Sequence, residues 1–116
     1  MASLNMNGPY TFDLETINSE VTRTSAGNYA LGYVNSEETF IVQYVGRSDY
    51  NLKKRLKDHL EEGYSSFKYS YSTSPKAAFE KECNNYHSFI PSRNIKHPNR
   101  PENTNWKCPI CDIFDK

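Results

Sequence analysis

Two groups of side chains in this sequence have the types and the spacing to do chemistry. The first is sulfur and imidazole. Cys108-Pro109-Ile110-Cys111 has the C-x-x-C spacing that supplies half of a tetrahedral metal site. Cys83 and His87 stand four positions apart, so on a helix both reach a single ion. The favoured ligand set is therefore Cys83, His87, Cys108 and Cys111 around a structural Zn²⁺, with His97 replacing one helix ligand as the alternative. Three cysteines are an odd count, which argues against a disulfide framework and for a thiolate metal site in a reducing compartment. The second group is cationic. Arg47, Lys53, Lys54, Arg55, Lys57 and His59 fall within thirteen residues against only Asp49 and Asp58. Arg55 and His59 are one helical turn apart and share a face. Arg93, Lys96, His97 and Arg100 form a second basic run. The whole chain is neutral, with 14 Lys+Arg against 14 Asp+Glu. Two basic segments on a neutral chain imply a local phosphate site, with Arg47, Lys53 and Lys54 as substrate contacts, and not a broad nucleic-acid-binding face.

The elements that must position these groups can be read from pattern. Residues 1–25 are polar and rich in Asn, Ser and Thr; they are assigned to a docking segment in which Pro9 to Leu14 could be extended. Asn28–Val34 reads as a strand, Asn35–Glu38 as a turn, and Phe40–Val45 as a β-branched and aromatic strand ended by Gly46. Asp49 and Asn51 offer helix caps. Leu52, Leu56, His59 and Leu60 then recur at helical spacing, with Gly63 as a stop. Phe67–Ser72 alternates with period two. Ser74 and Pro75 open a second helix that runs to about Phe89, and Pro91 ends it. Residues 26–95 thus form the core and 96–116 a Pro-rich tail. The expected class is α+β: a three-stranded antiparallel sheet flanked by helices, in the order β-β-α-β-α, with the tail pinned through zinc.

Gly27-Asn28-Tyr29 on one strand, Tyr44-Val45-Gly46 on the next, Arg55 and His59 on the following helix, Glu82 on a later helix and Asn94 beyond it occur in that order. This series resembles the GIY-YIG nuclease superfamily, which includes intron homing endonucleases, an incision domain of bacterial excision repair and some restriction enzymes. The likeness covers residues 27 to about 94. Tyr50 departs from the pattern as a single insertion before the helix. The resemblance implies a metal-dependent endonuclease that hydrolyses phosphodiesters, DNA above all, with one Mg²⁺ or Mn²⁺ held by Glu82. It implies Tyr29 as the group that deprotonates or orients water, Arg55 as the phosphate clamp, Tyr44 as part of the hydrogen-bond network and Asn94 as a brace. A phenol that acts as a base needs cations beside it, and Arg55 and His59 are placed to supply them. Glu82 is preferred to Glu80 because it shares a helix face with Ala78 and Tyr86.

No apolar run approaches the roughly 18 residues of a membrane span, and no signal-peptide pattern opens the chain, so a cytoplasmic protein without a membrane partner is expected. No second domain reads bases, which leaves target recognition to a homodimer or a partner protein. The competing reading is a catalytically inactive nucleic-acid- or protein-binding module of the same fold, stabilised by zinc.

Overall fold

The computed structural model describes residues 4–94, 97–101 and 103–114. Lys96, part of the second basic run, lies outside the described residues. The elements are β1 (Asn7–Thr11), α1 (Leu14–Glu20), β2 (Gly27–Val34), β3 (Phe40–Ser48), α2 (Leu52–Lys57), a single 3₁₀ turn (Leu60–Glu62), β4 (Ser66–Tyr71) and α3 (Pro75–Phe89). The class is α+β, as expected, but the sheet has four strands and not three. All pairs are antiparallel, in the order β1-β4-β2-β3. The additional strand comes from the segment read as a docking arm. Its side chains are mostly exposed, so no period-two apolar signal marks it; pairing with β4 through Tyr10↔Phe67 and Thr11↔Ser66 makes it a strand.

The rest of that arm is also part of the fold. Asp13 caps α1 by accepting the Thr16 amide at 2.8 Å. The helix then buries Ile17, and Val21 follows at its end, against Leu52, Leu56, Tyr29, Leu31 and Phe67. A second, smaller core on the other face of the sheet packs Leu4, Ala30 and Val45 against Tyr86 and Phe89 of α3. The central strand β2 is consequently buried along Gly27–Gly32. Two helices cover one face and α3 the other, which leaves β3 as an outer strand around which groups from both faces can meet.

Local chemistry places each helix. Asn51 caps α2 by accepting the Lys54 amide at 3.2 Å, and Ser74 caps α3 by accepting the Ala77 amide at 3.1 Å, with Pro75 in the first turn. The α2 helix is shorter than its periodicity suggests. It ends at Lys57, and the chain tightens into the 3₁₀ turn before Gly63, whose φ of 91° stops it. Asn28, fully buried, ties the sheet to α3: its amide donates to the Ala78 carbonyl and its oxygen accepts from Ser72 Oγ, each at 2.9 Å.

Candidate active site and metal clasp

The hairpin glycines explain how two tyrosines come to one place. Tyr29 pairs with Gly46 across β2 and β3, and its ring lies over that glycine. A Cβ at Gly46 would sit 2.3 Å from the Tyr29 hydroxyl, so only glycine lets the phenol cross there. At Gly27 a Cβ would meet the Ser70 carbonyl at 2.5 Å and Leu52 at 2.8 Å, which keeps β4 and α2 close to the strand that carries Tyr29. Tyr44, paired with Leu31 two positions along in regular register, stacks beside Tyr29 with ring centroids 6.3 Å apart.

A cleft of about 610 Å³ opens beside β3. Tyr29, Tyr44, Arg47, Arg55, Glu82 and Asn94 all line it, together with Lys54 and the segment His97–Asn99. The expected groups from β2, β3, α2, α3 and the loop after α3 therefore converge. Lys53 and His59 do not line the cleft: the Lys53 ammonium reaches the Asn18 carbonyl at 3.5 Å, on the α1 side, and His59 is buried behind Tyr29. Arg47 is engaged by protein groups. Its Nη1 donates to Glu82 Oε1 at 2.5 Å and its Nε to Asp49 Oδ1 at 3.0 Å.

Behind the cleft lies a chain of hydrogen bonds. Tyr29 Oη is 2.7 Å from His59 Nε2, and His59 Nδ1 is 2.8 Å from Glu62 Oε2. With the imidazole proton on Nδ1 and donated to the Glu62 carboxylate, Nε2 is left to accept the Tyr29 hydroxyl proton. Glu62 did not stand out in the sequence. Its spacing of three from His59 was the available signal, and the turn that brings the two together was hidden by the longer helix expected there.

Burial governs the electrostatics. It pushes the Tyr29 phenol far above its ordinary value; the neighbouring Tyr44 phenol and Glu82 carboxyl add to this, and the Arg55 guanidinium beside the hydroxyl opposes it without prevailing. The expectation that neighbouring cations would lower this phenol is therefore corrected. Desolvation penalises the phenolate more than Arg55 favours it. Burial likewise raises the Glu82 carboxyl above its ordinary value, with Arg47 pulling it back. Arg55 is half-exposed; it hydrogen-bonds the Tyr29 hydroxyl and is held loosely by Asp58 at 3.9 Å.

Asn94 does not reach Glu82; its backbone amide closes a turn onto the Pro91 carbonyl at 3.2 Å. Its side-chain amide substitutes for a strand on the free edge of β3, accepting from the Val45 amide at 2.8 Å and donating to the Val45 carbonyl at 3.0 Å. Arg93 adds a backbone bond to the Gln43 carbonyl at 2.7 Å.

No family model, curated protein or solved structure matches this chain. The geometry alone must carry the functional reading.

The metal-binding group differs from the favoured one by one ligand. His87, His97, Cys108 and Cys111 present their donor atoms within 4.8 Å of one another, close enough to hold a metal ion. His97, the alternative, stands in place of Cys83. Cys83 is fully buried against Phe79 and Cys108, outside the group of converging donor atoms, and burial pushes its thiol well above the ordinary range. Cys108 shows the opposite balance. Burial opposes its ionisation, but the backbone N–H groups of Ile110 and Cys111 and the His97 ring outweigh it and lower the thiol to about 6. The donors also have zinc-like separations. His87 Nε2 and His97 Nε2 are 3.2 Å apart, and Cys111 Sγ is 3.5 Å from His97 Nε2. Tetrahedral Zn²⁺ with Zn–N of about 2.0 Å and Zn–S of about 2.3 Å needs about 3.3 Å and about 3.5 Å for such pairs.

The tail docks by apolar contact as well, more than its composition suggested. Phe79 packs against Trp106 and Phe114 with centroids 6.0 and 5.8 Å apart, and the Arg47 guanidinium lies over the Phe79 ring, 5.3 Å from its centroid. Among the described residues no helix is long and apolar enough to cross a membrane.

Proposed function

We propose that the chain is a metal-dependent endonuclease of the GIY-YIG kind, hydrolysing nucleic-acid phosphodiesters, DNA foremost, by a one-metal mechanism. The observation that supports it most is the meeting in one cleft of a phenol backed by an imidazole–carboxylate pair, a half-exposed guanidinium and a buried carboxylate. Phosphodiester hydrolysis needs a base for water, a clamp for the phosphate and charge neutralisation of the leaving oxygen. Arg55 holds the phosphate, and Tyr44 orients it or the attacking water. As water gives its proton to Tyr29 Oη, Tyr29 passes its own to His59 Nε2, so no free phenolate forms in a setting that disfavours it. Glu62 then faces an imidazolium, the form its carboxylate stabilises. Glu82 would hold the divalent ion: Arg47 engages Oε1, and no described hydrogen bond engages Oε2. A single carboxylate suits Mg²⁺, which keeps several of its waters, and Mn²⁺ fits the same oxygen set. The ion supplies Lewis-acid stabilisation of the phosphate and the leaving oxygen.

The donor set and spacing of the clasp favour Zn²⁺ in a closed structural site, and its thiols suit a reducing, cytoplasmic location. With Arg47 and Asp49 already paired, affinity for nucleic acid rests on Arg55 and Lys54, so a homodimer or partner protein is the expected source of target recognition. One observation favours a second reading. The Arg47–Glu82 ion pair occupies the carboxylate, as it would in a non-catalytic nucleic-acid- or protein-binding module stabilised by zinc. Incubating the purified protein with supercoiled plasmid and with structured RNA, with and without Mg²⁺, separates the two. Mg²⁺-dependent strand cleavage is expected; intact DNA and RNA under all conditions would favour the module.

A further inference from the structure

His97 belongs to two sites at once. Its Nε2 is a donor of the metal clasp, while its ring and the following Pro98 and Asn99 line the cleft that holds Tyr29 and Arg55. Its Nδ1 lies 2.9 Å from the Pro98 carbonyl; donating there, it leaves the Nε2 lone pair for an ion and links the ring to the wall residue. The wall has no helix or strand of its own. Upstream it is anchored to β3 through Asn94 and Val45. Downstream, the fixed points are His97 itself, facing His87 of α3, and Arg100, which donates to the Trp106 carbonyl at 3.1 Å. The His97 ring also packs against Tyr86 and Phe114, with centroids 5.3 and 5.4 Å apart, and Pro98 is buried. With no described backbone hydrogen bond within His97–Asn99, the wall keeps its place through side-chain contacts, those of the clasp among them.

We propose that an ion in the His87–His97–Cys108–Cys111 clasp is a positioning device for the cleft: by binding His97 it holds the His97–Asn99 wall in place and so sets how well substrate is engaged. The consequence for substrate rests on the nuclease reading; the positioning of the wall does not. His97 is then a positioning residue, and the clasp makes substrate binding answer to zinc supply, separately from the Mg²⁺ chemistry at Glu82.

The test uses ligands that lie outside the cleft. His87→Ala and Cys111→Ser are compared with the full wild-type chain, each purified in Zn²⁺, and wild type is also treated with a zinc-selective chelator in excess Mg²⁺. Zinc content is measured first, and Co²⁺ substitution gives a thiolate-to-metal absorption band. Limited trypsin digestion reads the approach to the wall, because Arg93 and Lys96 offer cleavable bonds just before it, while Pro101 blocks cleavage after Arg100. Cleavage there is expected to quicken about ten-fold without zinc, the lower end of what loss of a supporting interaction costs at such sites. Oligonucleotide KM should rise by a similar factor while kcat changes less than about two-fold, since the groups touching the phosphate remain. Overall circular dichroism controls for global unfolding; should the variants unfold, the chelated wild type carries the comparison. A wild type that binds no zinc, or zinc-free protein with unchanged trypsin cleavage in 93–100, would overturn the proposal. Should the wild type cut no nucleic acid, the trypsin result still decides it, and only the nuclease reading fails.

Discussion

The cleft and the clasp lie side by side on α3 and handle polar groups in opposite ways. In the cleft the charged and polar groups are already matched by protein partners: Arg47 with Glu82 and Asp49, and Tyr29 with His59 and Glu62. In the clasp two imidazole nitrogens and a thiol sulfur point at one another with the separations of a coordination shell. An ion that binds at Glu82 has to share the carboxylate with Arg47, so weak, exchangeable binding follows, as suits Mg²⁺ arriving with substrate. An ion in the clasp would displace protons and the weak contacts among the donors themselves, with no competing cation, so tighter binding is expected there. On the proposed reading, α3 would carry a transient metal site and a lasting one, about one and a half turns apart by the spacing of Glu82 and His87.

The largest expected effect is on the proposed proton path. Tyr29→Phe keeps the ring over Gly46 and removes the hydroxyl that links water to His59. Single-turnover cleavage should fall on the order of a hundred-fold or more, the usual worth of a positioned acid–base group, with the melting temperature nearly unchanged. A rate within a few-fold of wild type would remove Tyr29 from the mechanism and weaken the contrast between the two regions.

Next comes the stability that the clasp confers. Zinc at a hundred times its dissociation constant should stabilise the fold by about 2.7 kcal/mol, read as a higher melting temperature, while Mg²⁺ at physiological levels should give almost none. Equal stabilisation by both ions would erase the distinction.

The smallest effect is a displaced pH profile. On the proposed mechanism cleavage requires the Glu82 carboxylate, whose carboxyl burial raises and Arg47 lowers. Its activity is therefore present above the raised value and lost as pH falls through it. Replacing Arg47 with Met removes the lowering influence, so the acid limb of the rate profile should move to higher pH. An unmoved limb would show that Arg47 does not control this carboxylate.

Legibility in the sequence followed locality. The β2–β3 hairpin, with Tyr29 and Tyr44, could be read because alternation and two glycines act within a few residues. The α3 face bearing Glu82 could be read because helical spacing separates it from Glu80. The first strand was hidden, since Asn7–Thr11 pairs on one edge and buries little, leaving no apolar alternation. Cys83 and His87 satisfied the same i, i+4 rule, yet Cys83 is held in the Phe79 pocket, and only the path of the chain beyond Pro91 delivers His97 in its place. Glu62 and the role of Asn94 on the β3 edge likewise depend on a tight turn and on long-range pairing that no local pattern encodes.

The most direct test of the central claim is the cleavage of supercoiled plasmid by wild type and by Glu82→Gln in Mg²⁺, with matched zinc content and melting temperature. Glutamine keeps an oxygen for Arg47, whose charge Asp49 still balances, but loses the anionic ligand. Mg²⁺-dependent nicking by the wild type, reduced about a hundred-fold or more in Glu82→Gln, is the predicted result. Equal nicking by both proteins would contradict it.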